Sequence, residues 1–279
     1  MPRLVLFHAS CADGFCSAWI CHGANPDAEF VAMQYGDEPP DVTGRDVLIL
    51  DFSFPRAILL EMKSKAESLV VIDHHKTAAE ALTGLDFCIF DVVKSGGRLT
   101  WEFFHPTEKS PWLVDYTEDR DLWRWKLPQS RQINAGLRVE EFDFSVWDEL
   151  ASSTDFRDYC ATAGTAILRA ESKTVQDHIK RAYEVEIDGY RVLMVNATTL
   201  VSEIAGELAK NRPFGVCWFE TEKQDRVYSL RSTGPGLDMP EGIDVSVISK
   251  AHGGGGHKNA AGFTVPAFST EAHFNKEEI

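Results

Sequence analysis

The sequence lacks paired cysteines, and none of its apolar runs approaches the roughly 20 residues of a membrane span. Its six cysteines are scattered without a CxxC pair, which favours a reducing compartment and argues against a disulfide framework. The apolar part of the N-terminal stretch MPRLVLFHAS is too short for a signal peptide. We therefore expect a cytoplasmic protein without a membrane partner.

Basic residues are also scarce. The chain has 28 Lys and Arg against 43 Asp and Glu, which gives a formal net charge of −15 at pH 7. Because so acidic a surface repels long polyanions, long duplex nucleic acid is not an expected partner. A phosphate-bearing substrate is expected to be small and to be held by local cations or metal. With 279 residues, of which 44% are hydrophobic, the chain is long enough for two globular domains.

The stretch Leu69 to Lys76 reads LVVIDHHK and carries the strongest signal in the chain. Its short apolar run is typical of a parallel strand buried on both faces. Asp73, His74 and His75 follow, where open α/β sheets place their ligand sites. A carboxylate and two imidazoles are ligands of first-row metals. The alternative is an Asp that caps the next helix beside a solvated His pair.

Two earlier segments repeat this arrangement of an apolar strand followed by polar groups. LVLF precedes HASCADG, and DVLILDFSF ends its strand on Asp51. The βαβ spacing predicts one parallel sheet whose strand ends share an edge. Taken alone, the first segment is equally well explained by a capping Asp and an incidental His. Together, five side chains would converge at that edge and hold two divalent ions that promote phosphoryl or phosphodiester hydrolysis: His8, Asp13, Asp51, His74 and His75.

These motifs resemble those of a known family. His-x-x-x-x-Asp-Gly, DFS and VIDHHK are similar to motifs I, II and III of the DHH phosphoesterase superfamily. GGGGHKNAAGF at 253–263 resembles the glycine-rich signature of the DHH-associated domain. The resemblance spans nearly the whole chain. It implies a manganese-dependent phosphohydrolase whose substrates include single-stranded nucleic acid, very short oligoribonucleotides, cyclic dinucleotides, pyrophosphate and polyphosphate.

The resemblance also implies roles for the five convergent residues. His8 would bind the first metal and Asp13 the second. Asp51 would bridge the two ions, and His74 would complete the ligands of one of them. His75 would contact the substrate phosphate. The expected cofactor is therefore two Mn²⁺ ions, with Mg²⁺ or Zn²⁺ as alternatives.

One position departs from the family pattern. Cys11 stands where many members have the first Asp of Asp-x-Asp-Gly. A thiolate is a softer ligand that favours zinc over manganese, whereas a bystander thiol would behave as a small hydrophobe. Asp73 is expected to orient the neighbouring imidazoles rather than to bind metal.

The family has a fourth motif, an Asp on the second metal, in the region that here reads WLVDYTEDRDLWRW. Asp119 is the first choice for this ligand and Asp121 the second. Either carboxylate could instead pair with Arg120 or Arg124 at the surface. Upstream, the residues at 95–97 (Ser-Gly-Gly) could offer backbone donors to a phosphate or form a plain turn.

The fold class expected is α/β. We predict an N-terminal catalytic domain at 1–150 with a parallel sheet flanked by helices, a helical connector at 151–184, and a smaller C-terminal α/β domain at 185–279 with a mixed sheet. The turn signal Asp188-Gly189 between two strand-like runs predicts a hairpin in the second domain. The two domains are expected to face each other across a cleft.

A glycine-rich loop in the second domain is the predicted substrate-binding site. Consecutive glycines allow backbone N–H groups to approach a ligand, and Arg231 can bind a phosphate or carboxylate through two N–H groups. The alternative is a flexible turn. The residues assigned to substrate binding are Arg231, Gly254, Gly255, Gly256, His257 and Lys258.

The predicted function is hydrolysis of phosphodiester bonds in short oligoribonucleotides or cyclic (di)nucleotides, by hydroxide generated at the dimetal centre. Polyphosphate or pyrophosphate hydrolysis is the alternative enzyme reaction. A further alternative, which is not an enzyme, is a nucleotide-binding sensor whose metal centre is weakened by Cys11. The expected partner is a small nucleotide or short single-stranded oligonucleotide, and a homodimer is compatible with the sequence.

Overall fold

The computed structural model describes residues 2–233 and 242–266. The chain divides into two compact units, Met1–Leu168 and Arg169–Ile279. Within the described residues, no helix is both long enough and apolar enough to cross a membrane.

The first unit is built on a five-stranded parallel sheet in the order β2-β1-β3-β4-β5. This confirms the predicted parallel sheet, in which β1, β3 and β4 lie side by side. Their carboxyl ends therefore share one edge. Strand β2, which was not predicted from the sequence, lies at the border of the sheet next to β1. The strands are β1 (Leu4–His8), β2 (Glu29–Met33), β3 (Asp46–Leu50), β4 (Ser68–Asp73) and β5 (Cys88–Phe90).

Helices connect these strands and extend beyond them. Helix α5 ends on one of the two candidate fourth-motif carboxylates, Asp121, and α8 contains the boundary between the two units. The helices are α1 (Ala12–Ala24), α2 (Arg56–Lys65), α3 (Lys76–Ala81), α4 (Gly96–Phe104), α5 (Trp112–Asp121), α6 (Ser130–Leu137), α7 (Phe144–Ser152) and α8 (Thr154–Ile179).

The strands read as continuous apolar runs because both faces of the sheet are buried. Successive residues of a strand point to opposite faces. Val47 of β3 packs in one cluster with Leu59 of α2. Its neighbour Leu48 packs in another with Leu99 of α4. Helices thus cover both faces and leave the edge of the sheet for polar groups.

The second unit holds a six-stranded mixed sheet in the order β10-β11-β9-β8-β7-β6. Its strands pair antiparallel, except for the parallel pair of β7 and β8. Asp188 and Gly189 form the predicted hairpin turn, and both have positive φ, 49° and 81°. The elements are β6 (Tyr183–Ile187), β7 (Tyr190–Asn196), α9 (Val201–Leu208), β8 (Gly215–Glu220), β9 (Arg226–Arg231), α10 (Val245–Ala251), β10 (Gly255–His257) and β11 (Ala260–Val265).

Candidate metal centre

Three adjacent strands of the first unit each deliver a candidate ligand to the shared edge. His8 is the last residue of β1, Asp51 follows β3, and His74 follows β4. Asp51 has a left-handed backbone with φ 54°, and its N–H donates to Ile72 O at 2.8 Å. Asp is one of the few residues that tolerate this conformation, which is found often at functional sites. The tight turn keeps the Asp51 carboxylate at the end of β3.

The two carboxylate oxygens of Asp51 face different imidazoles. Oδ2 lies 3.4 Å from His8 Nδ1, and Oδ1 lies 3.1 Å from His74 Nε2. Asp51 and His74 are each only 1% exposed. The geometry is therefore that of one buried carboxylate between two imidazoles.

Potential ligand atoms form one group that contains Asp51 and another beside it, and within each group the atoms lie within 4.8 Å of one another. One group contains His8, Cys11 and Asp51, and the other contains Asp13, His74 and Asp121. In the second group, His74 Nε2 is 3.7 Å from Asp13 Oδ2 and 3.5 Å from Asp121 Oδ2. Ligand atoms about 2.0 to 2.2 Å from one ion are separated by roughly 3 to 3.6 Å, so these spacings suit a shared divalent ion.

Electrostatics also favour cations at this edge. Burial and the nearby carboxylates of Asp51 and Asp121 raise the pKa of Asp13 well above its ordinary value. Within the described part of the chain, the buried atoms His8 Nδ1, Asp51 Oδ1 and Asp121 Oδ2 make no hydrogen bond. Because buried polar atoms are normally satisfied, such a set of oxygen and nitrogen donors fits divalent metal ions.

The pKa values of Asp51 and His74 shift as expected for a close pair of opposite charge. Burial acts to raise the pKa of Asp51, but the imidazoles of His74 and His8 outweigh it, and the pKa is lowered. Burial acts to lower the pKa of His74, whereas Asp121, Asp51 and Asp13 raise it well above its ordinary value. Both shifts follow from the excess of carboxylates at this edge, which a bound cation would offset.

The start of α4 fixes the Asp13 carboxylate. Gly96 N donates to Asp13 Oδ2 at 2.6 Å, and Gly97 N donates to Asp13 Oδ1 at 3.0 Å. A Cβ atom on Gly96 would lie 2.6 Å from Asp51 Oδ1, so only glycine fits there without a shift. The Gly96 and Gly97 N–H groups that we considered as phosphate donors therefore bind Asp13.

Asp73 orients one of the two neighbouring imidazoles, that of His75. Its Oδ1 accepts from the His74 backbone N–H at 2.7 Å and lies 2.7 Å from His75 Nδ1. Its Oδ2 accepts from Ser53 Oγ at 2.5 Å. Because an ionised carboxylate only accepts, Nδ1 of His75 carries the proton. Asp73 thereby sets the tautomer and the ring orientation of His75.

The structure separates the two candidates for the fourth motif. Asp121 lies in the ligand group with His74 and Asp13. Asp119 instead accepts from the backbone N–H groups of Lys126 and Leu127, at 3.0 and 3.3 Å. Asp119, the first choice from the sequence, thus stabilises the loop after α5. Asp121, the second choice, lies at the sheet edge.

Cys11 lies in the ligand group with His8 and Asp51. It precedes α1 and makes no side-chain capping hydrogen bond. Burial, followed by the charge of Asp51, raises the pKa of the Cys11 thiol well above its ordinary value. A bound cation would act in the opposite direction, because metal coordination favours the thiolate.

The glycine-rich segment of the second unit packs against neighbouring backbone of the same unit. Gly255–His257 form β10, which pairs with β11. A Cβ on Gly254 would lie 2.1 Å from Gly262 O and 2.6 Å from Ser249 Oγ. Close packing of the backbone therefore requires glycine at position 254. The sequence alone did not separate this requirement from ligand binding.

Of the predicted cationic residues of the second unit, His257 and Lys258 lie in or directly after β10, and Arg231 is the last residue of β9. Arg231 at the end of β9 pairs in register with Ala260, and its Nη2 donates to Ser202 Oγ at 2.7 Å. Lys258 is exposed in the turn after β10. Substrate binding by Arg231, His257 and Lys258 stays a prediction.

Tyr35, which the sequence analysis missed, lies beside the candidate centre. Its ring centroid is 5.5 Å from that of His8 and 5.9 Å from that of His75. The residue is 57% exposed. A single Tyr in a loop after an unrecognised strand carries no sequence signal. Only the position of β2 beside β1 brings it to the edge.

Comparison with known proteins identifies relatives of this chain. No family model matches it. An uncharacterized protein of Acanthamoeba polyphaga mimivirus is 30% identical over 290 residues, covering 93% of this chain and 66% of that protein. Oligoribonuclease NrnB of Bacillus subtilis is 24% identical over 217 residues, covering 70% of this chain and 52% of that enzyme. The chain thus spans between about half and two thirds of these relatives.

The fold also matches that of a solved structure, the DHH domain of a protein described as a member of a family of ribosomal proteins. The TM-score is 0.54 at 13% identity, with 95% of this chain and 82% of the other covered. The parallel sheet with clustered Asp and His ligands, followed by a mixed-sheet unit, defines the class as a two-domain α/β protein of the DHH type. The chain therefore has a DHH-type fold, as the sequence motifs predict.

Proposed function

We propose that this chain is a metal-dependent phosphodiesterase that hydrolyses short oligoribonucleotides or cyclic (di)nucleotides. The observation that carries the proposal is the position of Asp51, whose two oxygens face His8 and His74 at 3.4 and 3.1 Å. One carboxylate that faces an imidazole of each ligand group is the arrangement that a two-metal hydrolase needs. The relative NrnB, described as an oligoribonuclease, supports short RNA as the substrate class.

Each ligand group would hold one divalent ion. The bound ions would supply an acidified water and neutralise charge on the phosphate. Asp51 would be shared between them, and Mn²⁺ suits the mixture of imidazole and carboxylate ligands better than Mg²⁺. We assign His8 and Cys11 to the first ion, Asp13, His74 and Asp121 to the second, and Asp51 to both.

His75 would bind the substrate phosphate. Burial acts to lower the pKa of His75, but Asp73 outweighs it and the pKa is raised. The imidazole therefore keeps its proton to higher pH and can donate a charge-assisted hydrogen bond to a phosphate oxygen. The bond between His75 Nδ1 and Asp73 fixes the ring in advance, so little reorganisation is needed as charge develops on the phosphate.

The second unit would bind the nucleotide portion of the substrate. Arg231 can bind a phosphate through two N–H groups, and His257 and Lys258 add donors to a chain that is otherwise strongly acidic. A few local cations suit a short substrate, because the net charge of −15 disfavours long polyanions.

A substrate screen tests the proposal. Purified protein with added Mn²⁺ is incubated with dinucleotides, cyclic dinucleotides, cyclic mononucleotides, pyrophosphate and polyphosphate, and the products are resolved by mass. We expect hydrolysis of one or more phosphodiesters, and none by an Asp51→Ala variant. Turnover of pyrophosphate or polyphosphate alone would reassign the substrate class. Nucleotide binding without any turnover would indicate a sensor instead of an enzyme.

A further inference from the structure

Tyr35 is an exposed aromatic residue next to the candidate centre. It lies two residues after β2, whose last residue Met33 pairs with His8. Its ring meets the rings of His8 and His75 edge to face, at interplanar angles of 71° and 81°. With 57% of the residue exposed, an incoming planar group can reach it.

The Tyr35 ring is held in place by a contact with Phe52, which follows β3, and by the turn that contains Tyr35. It packs on Phe52 with centroids 5.0 Å apart, and Phe52 is only 1% exposed. Gln34 N donates to Asp37 Oδ2 at 2.7 Å, and Gly36 reverses the chain with φ 98°. A large aromatic surface that is partly fixed before binding loses little entropy when a ligand contacts it.

We propose that Tyr35 is a stacking surface for the nucleobase next to the scissile phosphate. The inference rests on the proposed function, in which His75 binds that phosphate. A phosphodiester held at His75 carries a nucleoside on each side, so one base is brought close to the adjacent Tyr35 ring. The base is the uncharged part of the substrate, and contact with a neutral ring avoids the repulsion that the carboxylates of this edge exert on phosphates.

The proposal predicts which substrates the site prefers. Stacking on an aromatic side chain is sequence-tolerant because every base has a π face. Tyr35 should therefore favour base-containing substrates over pyrophosphate and polyphosphate, with little preference among the four bases. It would act as a binding residue that selects the substrate class.

The test compares a diribonucleotide with the same dinucleotide lacking both bases. Both substrates keep the phosphodiester and the sugars, so they differ only in the groups that could stack. The variants are Tyr35→Ala and Tyr35→Phe, and Tyr159→Ala is the matched control, because Tyr159 on α8 is 56% exposed. The measured quantity is the ratio of kcat/KM on the dinucleotide to kcat/KM on the base-free analogue.

We expect this ratio to fall at least about fivefold in Tyr35→Ala and to stay unchanged in Tyr35→Phe and Tyr159→Ala. An equal loss on both substrates would overturn the proposal, because Tyr35 would then act by positioning His8 and His75. A fall in Tyr35→Phe as large as in Tyr35→Ala would also overturn it, since the hydroxyl group and not the ring would be responsible.

Wild-type turnover separates this inference from the proposed function. If the wild type hydrolyses the dinucleotide and the ratio of kcat/KM values is unchanged in all variants, the stacking role is rejected and the proposed function is retained. If the wild type hydrolyses neither substrate, the proposed function fails. The affinity for the dinucleotide, measured by calorimetry, then still tests whether Tyr35 stacks on a base. Equal affinity of wild type and Tyr35→Ala, or no binding by either, would then reject the stacking role.

Discussion

Gly96 N donates a 2.6 Å hydrogen bond to Asp13 Oδ2, although the two residues are 83 positions apart in the chain. The amide belongs to the first residue of α4, where backbone N–H groups have no partner within the helix. The positive end of the helix dipole favours a carboxylate at this position. The start of α4 therefore orients a candidate metal ligand that α1 supplies.

Replacing a central ligand should abolish hydrolysis. We expect Asp51→Ala and His74→Ala each to reduce turnover below about a tenth of the wild-type rate, a barrier increase of more than ~1.4 kcal/mol, because each loss removes water activation and charge stabilisation together. The measurement is turnover of a phosphodiester with added Mn²⁺, with circular dichroism to check the fold. The exposed Asp27 provides the control Asp27→Ala. If Asp51→Ala or His74→Ala kept more than about a tenth of the wild-type turnover rate, the two-metal assignment would be refuted.

Activity should depend on added divalent ion, with Mn²⁺ more effective than Mg²⁺. Imidazole nitrogens in the ligand groups suit manganese, whereas magnesium prefers an almost all-oxygen octahedral shell. Protein dialysed against chelator is expected to be inactive until Mn²⁺ is restored. Full turnover in excess chelator after dialysis would contradict this prediction.

Asp121 and Asp119 should respond differently to truncation. Asp121→Ala is expected to abolish Mn²⁺-dependent turnover and to weaken Mn²⁺ binding, because its Oδ2 lies 3.5 Å from His74 Nε2. Asp119→Ala should lower the free energy of unfolding by roughly 1 to 3 kcal/mol, because two backbone N–H groups lose their acceptor. Calorimetric Mn²⁺ titration and urea denaturation measure the two effects. Loss of Mn²⁺ binding in Asp119→Ala alone would reverse the assignment.

Cys11 should bind the first ion through sulfur. We expect the Co²⁺-loaded protein to show a near-ultraviolet sulfur-to-cobalt charge-transfer band that Cys11→Ser removes. The control Cys88→Ser keeps the band, because Cys88 lies outside the ligand group. In turn, Cys11→Asp is expected to raise Mn²⁺ affinity, since carboxylate suits Mn²⁺ better than thiolate. Absence of the band in wild type, with unchanged metal dependence in Cys11→Asp, would make Cys11 a bystander.

Truncation of the predicted cations in the second unit should impair natural substrates selectively. In Arg231→Ala and His257→Ala, we expect kcat/KM on a dinucleotide, relative to that on bis-(p-nitrophenyl) phosphate, to fall at least about tenfold. A charge-assisted hydrogen bond contributes on the order of 1.5 to 3 kcal/mol, and remote contacts also position the reacting phosphate. The exposed cation of Lys223 supplies the control Lys223→Ala. Equal losses on both substrates would indicate a structural role.

The sequence by itself determined the strands that lead to the centre and the candidate ligands at their ends. Apolar runs such as residues 47–50 are unbroken because both faces of a parallel sheet are buried, and such a run ends where the strand leaves the apolar core. Asp51 and His74 could therefore be located from local pattern alone. The spacing of the runs then predicted that β3 and β4 would lie side by side.

Only the tertiary structure decided which carboxylate of α5 lies at the sheet edge. Asp119 and Asp121 are two positions apart, which is about 200° around a helix of 3.6 residues per turn, so they point to nearly opposite sides. Which side faces the sheet depends on how α5 packs, and no local pattern encodes that. The roles of Tyr35 and Gly254 also depend on tertiary packing. Strand β2 brings Tyr35 to the centre because it lies beside β1. Position 254 must be glycine because the backbone of Gly262 packs closely against it. Long-range packing sets these positions because the interacting partners are far apart in sequence.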